Sequence, residues 1–167
     1  GDGQFTDPIG IAVDREGNVY VLDWQRNDIQ KFDGQGNHLA TFGGDVLRAS
    51  SYMGIDPDGN VWVADDERNV VLTGDGEFVR EFDSSGSIDV AVGADGTVYE
   101  ADLFNARIQV YDATGRLLAV WGVGRLPSGE KPRPFAVTPD NQGNLYVVSN
   151  GADDKVEANV QKFRLPE

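Results

Sequence analysis

Cysteine is absent from the 167 residues, which removes disulfide staples, thiolate metal sites and Cys nucleophiles together. Histidine occurs once, as His38, so a multi-His zinc site cannot be assembled, and a Ser-His-Asp triad would have to be built on that single residue. Basic side chains are scarce: 14 Lys+Arg stand against 28 Asp+Glu, a net charge of −14. Such a surface repels phosphate backbones, and nucleic acid is not an expected partner. No apolar run approaches the roughly 18–20 residues of a membrane-spanning helix, so no membrane span is expected. No signal peptide is visible, and a chain that opens on Gly rather than Met reads as a mature product or a fragment. The lack of Cys fits an exported protein. Helical periodicity is missing from end to end. What the chain has in quantity is glycine, 21 residues, set among turn signals that point to a β protein.

Four of those glycines anchor a repeat. Gly17, Gly59, Gly96 and Gly143 are spaced 42, 37 and 47 residues apart. Around them stand VDREGNVYVLD, IDPDGNVWVAD, VGADGTVYEAD and PDNQGNLYVVS. A second, weaker element follows each: IQKFDGQGNHLATFG at 29–43 aligns without a gap to IQVYDATGRLLAVWG at 108–122. VVLTGDGEFVREF at 70–82 is a shortened copy, and VQKF at 160–163 begins a fourth. A period near 40 residues with four short strands per unit predicts β-propeller blades.

Each unit then reads as strand a, turn, strand b, loop, strand c, turn, strand d. In the first unit the strands fall at about 9–13, 19–22, 28–32 and 39–42. Blade units are expected at about 1–44, 45–83, 84–124 and 125–167, in one domain. Strand b is apolar on both faces, as blades packed on both sides require. Asp-x-x-Gly turns close the a–b hairpins, Asp capping the turn and Gly supplying positive φ.

These units resemble NHL repeats, a family of six-bladed propellers with the pattern GIAVD…GNVYVxD…N…RIQxFD…G. The resemblance covers essentially the whole chain, strongly in the first and third units, with the second shortened and the fourth carrying an insertion. The family's usual Arg before the strand c Ile is present as Arg107, whereas the first unit has Asp28 there. Gly93 replaces the Asp found at Asp14, Asp56 and Asp140. The resemblance implies blade-to-blade salt links at these positions, and these departures interrupt them. It also implies six blades where this sequence encodes four, the last without a strand d. Two readings stand: a piece of a longer propeller, or a chain completed by a neighbour pairing with the edge at 160–164.

Related propellers that act as amidating lyases or lactonases hold a metal on the axis with His or a carboxylate/Asn set. His38 in a c–d turn reads as a solvated turn residue, and DPDGN at 56–60 as the repeat's ordinary turn, since the later ligands of a calcium loop are missing. FGGD and GVGR lack the Lys-Ser/Thr of a phosphate loop. The expected function is therefore a non-enzymatic binding or scaffold module. Its surface would be the b–c and d–a loops, with Trp24, Arg26, Arg68, Leu103, Phe104 and Arg125 as candidates and a protein, peptide or glycan as partner. Packing of the two rings beneath neighbouring loops is the alternative reading. A structural subunit self-associating through open blade edges is the second functional reading, a metal-dependent lyase or lactonase the third. The resemblance suggests a bacterial extracellular or cell-surface setting.

One substitution pattern stands apart. Asp89 occupies the place of Gly10, and Glu100 that of Val21. If the third turn closes with Val92 facing Thr97, the two carboxylates oppose each other on one face. Such a pair needs relief from a cation such as Ca²⁺, a neighbouring Arg or Lys, a shared proton, or open solvent.

Overall fold

The computed structural model describes residues 1–84, 86–124, 131–150 and 159–164. The chain is all-β, and no helix occurs among the described residues, so none is long and apolar enough to cross a membrane. Four antiparallel sheets follow one another in chain order, each with the up-and-down topology of a propeller blade. Blade 1 is β1 (Pro8–Val13), β2 (Val19–Asp23), β3 (Asp28–Phe32) and β4 (His38–Phe42). Blade 2 is β5 (Ser50–Ile55), β6 (Val61–Asp65), β7 (Arg68–Leu72) and β8 (Phe78–Asp83). Blade 3 is β9 (Ser87–Val92), β10 (Val98–Asp102), β11 (Arg107–Tyr111) and β12 (Leu117–Gly122). Blade 4 has three described strands, β13 (Arg133–Pro139), β14 (Asn144–Asn150) and β15 (Asn159–Arg164). The chain divides into two compact units, Gly1–Ser84 and Ser85–Glu167, of two blades each.

Local chemistry closes three of the four a–b hairpins in the same way. Asp14 Oδ1 accepts the N–H of Asn18 at 2.8 Å, and its Oδ2 accepts the Asn18 amide at 2.8 Å. Asp56 and Asn60 repeat this pair in blade 2, and Asp140 and Asn144 in blade 4. The three Asp residues expected in blade-to-blade salt links are thus turn caps within their own blades. Arg107 likewise stays at home, on Asp102 at 2.6 Å. A carboxylate two to four residues from several main-chain donors binds them at less entropic cost than it binds a distant cation.

The hairpin also corrects the register expected for blade 3. Gly93 N–H donates to the Thr97 carbonyl at 2.8 Å, Gly96 N–H to the Gly93 carbonyl at 3.0 Å, and Gly96 holds φ +82°. A left-handed Gly in this place adds one residue to the turn, the geometry of a G1 bulge. Val92 therefore pairs with Val98, Asp89 with Ala101 and Glu100 with Val90. A slip of one residue reverses the face of every side chain. Asp89 and Glu100 lie on opposite faces of the sheet, and the cation site expected from their opposition does not form.

Each unit has its own core between its two blades. In the first, Tyr20, Leu22 and Ile29 of blade 1 pack on Met53, Val61, Val63, Val70 and Leu72 of blade 2. In the second, Tyr99, Ala101, Ile108 and Val110 pack with Val137, Leu145 and Val147. Small and large residues alternate across the paired strands. Gly10 lies opposite Leu22, and a Cβ built on it would sit 3.3 Å from the Leu22 Cβ. At the matching place in blade 3 the sizes are exchanged, Asp89 against Ala101.

Candidate functional site

The b–c turns are held from beneath by a buried carboxylate at the end of strand b. Asp23 accepts the N–H groups of Thr6 (2.5 Å), Asp7 (3.2 Å) and Arg26 (3.1 Å). Asp65 accepts those of Arg48 (2.8 Å) and Ala49 (2.9 Å), the Ser50 hydroxyl (2.9 Å) and the Arg68 guanidinium (2.9 Å). Asp102 accepts the Asn105 N–H at 3.0 Å and its side-chain amide. All three are fully buried. Each ties its own turn to the segment entering strand a or to neighbouring side chains, replacing water with fixed donors. Burial acts to raise the Asp23 carboxyl, and the N–H donors of Thr6, Arg26 and Asp7 outweigh it, leaving its pKa below the ordinary value. In blade 4 the place is taken by Ser149. The repeated Asp at the end of strand b was readable in the sequence, but its partners lie up to 17 residues away.

On these fixed turns the sequence-predicted residues separate. Trp24 is 50% exposed and Phe104 75% exposed, so neither ring packs under a neighbouring loop. They stand at equivalent turns, one in each unit. Leu103 is half-buried, its N–H donating to the Gly86 carbonyl. Arg26 binds Asp28 through two nitrogens, at 2.7 and 2.9 Å, and the Gln4 carbonyl at 3.0 Å. Arg68 is engaged by Asp65, by Glu81 and by the Val46 carbonyl. These two guanidiniums are internal ties, with their donors directed at the protein itself. Arg125 lies outside the described residues.

The remaining candidates sit within blade 3. Half-buried Asp89 accepts the Val137 N–H at 2.8 Å, joining β9 to β13. Burial pushes its carboxyl up to about 6, against the pull of the Val137 and Val90 N–H groups. Glu100 is fully buried and accepts the Gln109 amide at 3.2 Å. The same amide nitrogen lies 2.7 Å from the Tyr111 hydroxyl. Burial, and after it the Glu100 charge, pushes the Tyr111 phenol far above its ordinary value. Among the described residues no three His, Asp or Glu side chains converge to hold a metal ion.

A groove of about 540 Å³ in the second unit was not visible in the sequence. Tyr99, Leu118, Trp121, Asp95 and Arg164 are among the residues that line it. The matching wall in the first unit, Tyr20 and Phe42, is filled by the turn at 74–76. There the Gly74 carbonyl accepts from Lys31 Nζ at 3.0 Å. A Cβ placed on Gly76 would fall 2.4 Å from the Phe42 Cβ.

The NHL repeat matches residues 5–32. No curated protein matches the chain. Solved structures do. A chain of the nidogen/laminin complex superposes with a TM-score of 0.74 at 21% identity, over 92% of this chain and 60% of that one. Hydrazine synthase from Kuenenia stuttgartiensis gives 0.77 at 13% identity, over 98% and 48%. Virginiamycin B lyase from Staphylococcus aureus gives 0.68 at 15% identity, over 96% and 56%. The chain thus spans 48% to 60% of the length of these three. At such identities the likeness is one of fold. The chain is built of β-propeller blades, and the NHL repeat is matched in the first of them.

Proposed function

We propose that this chain is a non-enzymatic binding or scaffold module whose b–c turns engage a protein, peptide or glycan partner. The observation that carries the reading is Phe104: a ring 75% exposed on a turn immobilised by a fully buried Asp102. Trp24 repeats the arrangement above Asp23 in the first unit. A large apolar side chain on a rigid turn loses little entropy on binding, and aromatic anchors of this kind dominate interface energetics. One of the solved structures of like fold is a nidogen/laminin complex, which supports a protein as the partner class. An extracellular or cell-surface setting accords with the acidic, Cys-free composition.

The test is a panel of immobilised peptides, extracellular-matrix proteins and glycans probed with the native chain, Trp24→Ala and Phe104→Ala. Binding that falls at least about tenfold in one variant, at unchanged melting temperature, supports the reading. Binding equal in all three proteins refutes it.

A second reading is a structural subunit that self-associates through open strand edges. Its surface would be strand edges such as that of β15, the last of the three strands described in blade 4. A lyase or lactonase activity ranks third, since the one histidine bonds to Thr41 Oγ1 at 2.8 Å within its own blade.

A further inference from the structure

Arg68 and Arg107 hold the same place in blades 2 and 3, each opening strand c beside the buried carboxylate that ends strand b. Their neighbours on the outer strand differ. Asp83 stands directly across from Arg68, and Glu81 on the diagonal pairs with Arg68 Nη1. In blade 3 the register puts Gly122 and Val120 in those two places. Two carboxylates beside the guanidinium have become a glycine and an apolar side chain.

The result is a guanidinium used only in part. Arg68 is engaged at every nitrogen: Nε and Nη2 by Asp65, Nη2 also by the Val46 carbonyl, and Nη1 by Glu81. Arg107 donates from Nε to Asp102 Oδ2 at 2.6 Å, and its two terminal nitrogens have no partner among the described residues. Its side chain is 33% exposed, against 13% for Arg68.

The surface on either side is apolar and open. Val120 is 46% exposed on the diagonal from Arg107. The Phe104 ring borders the same Asp102 carboxylate, since its Cδ2 and Asp102 Oδ1 each lie 2.8 Å from the position a Cβ on Gly86 would take. All four strands of blade 3 are described, and Val120 and Arg107 share one face of the sheet. Ala119 and Trp121 pack toward blade 4 on the other face, so a longer blade 4 would leave this one open.

We propose that this place on blade 3 receives a peptide carboxylate set between apolar side chains. The inference rests on the binding-module reading and names the chemistry of its partner. Arg107 offers its terminal nitrogens to the carboxylate as Arg68 offers its own to Glu81, and Phe104 and Val120 cover the apolar neighbours. The planar guanidinium matches a carboxylate in shape, and the charged bond is stronger than a neutral one. A net charge of −14 repels a strongly acidic partner, so the ligand carries a lone carboxylate in an apolar stretch. Neither Phe104 nor Val120 offers a hydrogen bond to sugar hydroxyls, which favours a peptide over a glycan here.

Two end-blocked heptapeptide libraries test this, one with Leu-Glu-Leu fixed at its centre and one with Leu-Gln-Leu, each passed over the immobilised chain. The native chain is expected to retain the Glu library at least about tenfold over the Gln library, the advantage of a charge-assisted pair. Val120→Glu supplies the carboxylate that blade 2 has in Glu81, and is expected to equalise the two libraries. It changes a half-exposed position, and circular dichroism verifies the fold. Arg107→Gln is expected to equalise them as well, whereas Phe104→Ala is expected to weaken both and keep their ratio. Equal retention of the two libraries by the native chain, with both lowered in Phe104→Ala, overturns the carboxylate and leaves the module reading standing. Retention of neither library, an unaltered preference in Val120→Glu, or equal retention of a uronic acid oligosaccharide overturns the inference. The module reading itself falls only if Trp24→Ala and Phe104→Ala bind the wider panel as the native chain does, so the two failures are distinct.

Discussion

Asp89 Oδ2 accepts the main-chain N–H of Val137 at 2.8 Å, a single carboxylate bridging the innermost strands of blades 3 and 4. Burial raises its pKa from 3.8 to about 6. A carboxyl raised in the folded state contributes stability that is complete below about pH 4 and lost as pH rises through 6. Asp89→Asn keeps the acceptor and removes the titration. At pH 8 the variant is expected to be more stable by on the order of 1–2 kcal/mol, with the difference vanishing near pH 4. Urea unfolding of both proteins from pH 4 to 8 measures it; a difference independent of pH would contradict the assignment.

Glu100 replaces an apolar residue of the repeat and is retained in a fully buried position by the Gln109 amide. Glu100→Ala leaves that amide short of an acceptor and opens a cavity, and is expected to cost about 2–4 kcal/mol. Glu100→Gln preserves one acceptor and is expected to cost about 1 kcal/mol. Equal losses on chemical denaturation would show that volume alone matters there.

Asp65 holds two main-chain N–H groups, a hydroxyl and a guanidinium without any exposure to water. Asp65→Ala strands these donors and is expected to destabilise by about 3 kcal/mol or more. Asp65→Asn, which keeps an acceptor but drops the charge beside Arg68, is expected to recover about half of that. Melting temperatures at neutral pH distinguish the three proteins.

Gly76 combines φ +91° with a backbone pressed against Phe42. Gly76→Ala is expected to cost about 3 kcal/mol, because the left-handed backbone and the steric overlap add. Gly36→Ala has the same conformational penalty, at φ +85°, with open space around it. Its cost is expected to be about 1–2 kcal/mol. Equal losses would mean that the blade contact at Phe42 yields freely.

The number of blades, the strands within them and the capped Asp-x-x-Gly turns were legible from the sequence. Each is determined by groups within about five residues of one another, as in the bonds from Asp14 to Asn18 and from Asp56 to Asn60. Even the register of β9 on β10 is written locally, in the positive φ of Gly96, although counting residues without the extra turn position puts Asp89 opposite the wrong partner. Only the tertiary structure decided which side chains are spent inside the fold. Arg26 and Arg68 read as surface anchors but are consumed by Asp28, Gln4, Asp65 and Val46, whereas Trp24 and Phe104 remain open. Tyr20 and Tyr146, or Ile29 and Val160, occupy the same place in the repeat, and nothing local separates a buried copy from an exposed one. What separates them is the neighbouring blade. Its contacts join residues more than 40 positions apart, as between Lys31 and Gly74 or Asp89 and Val137, and a repeat pattern specifies the shape of such a face without specifying what covers it.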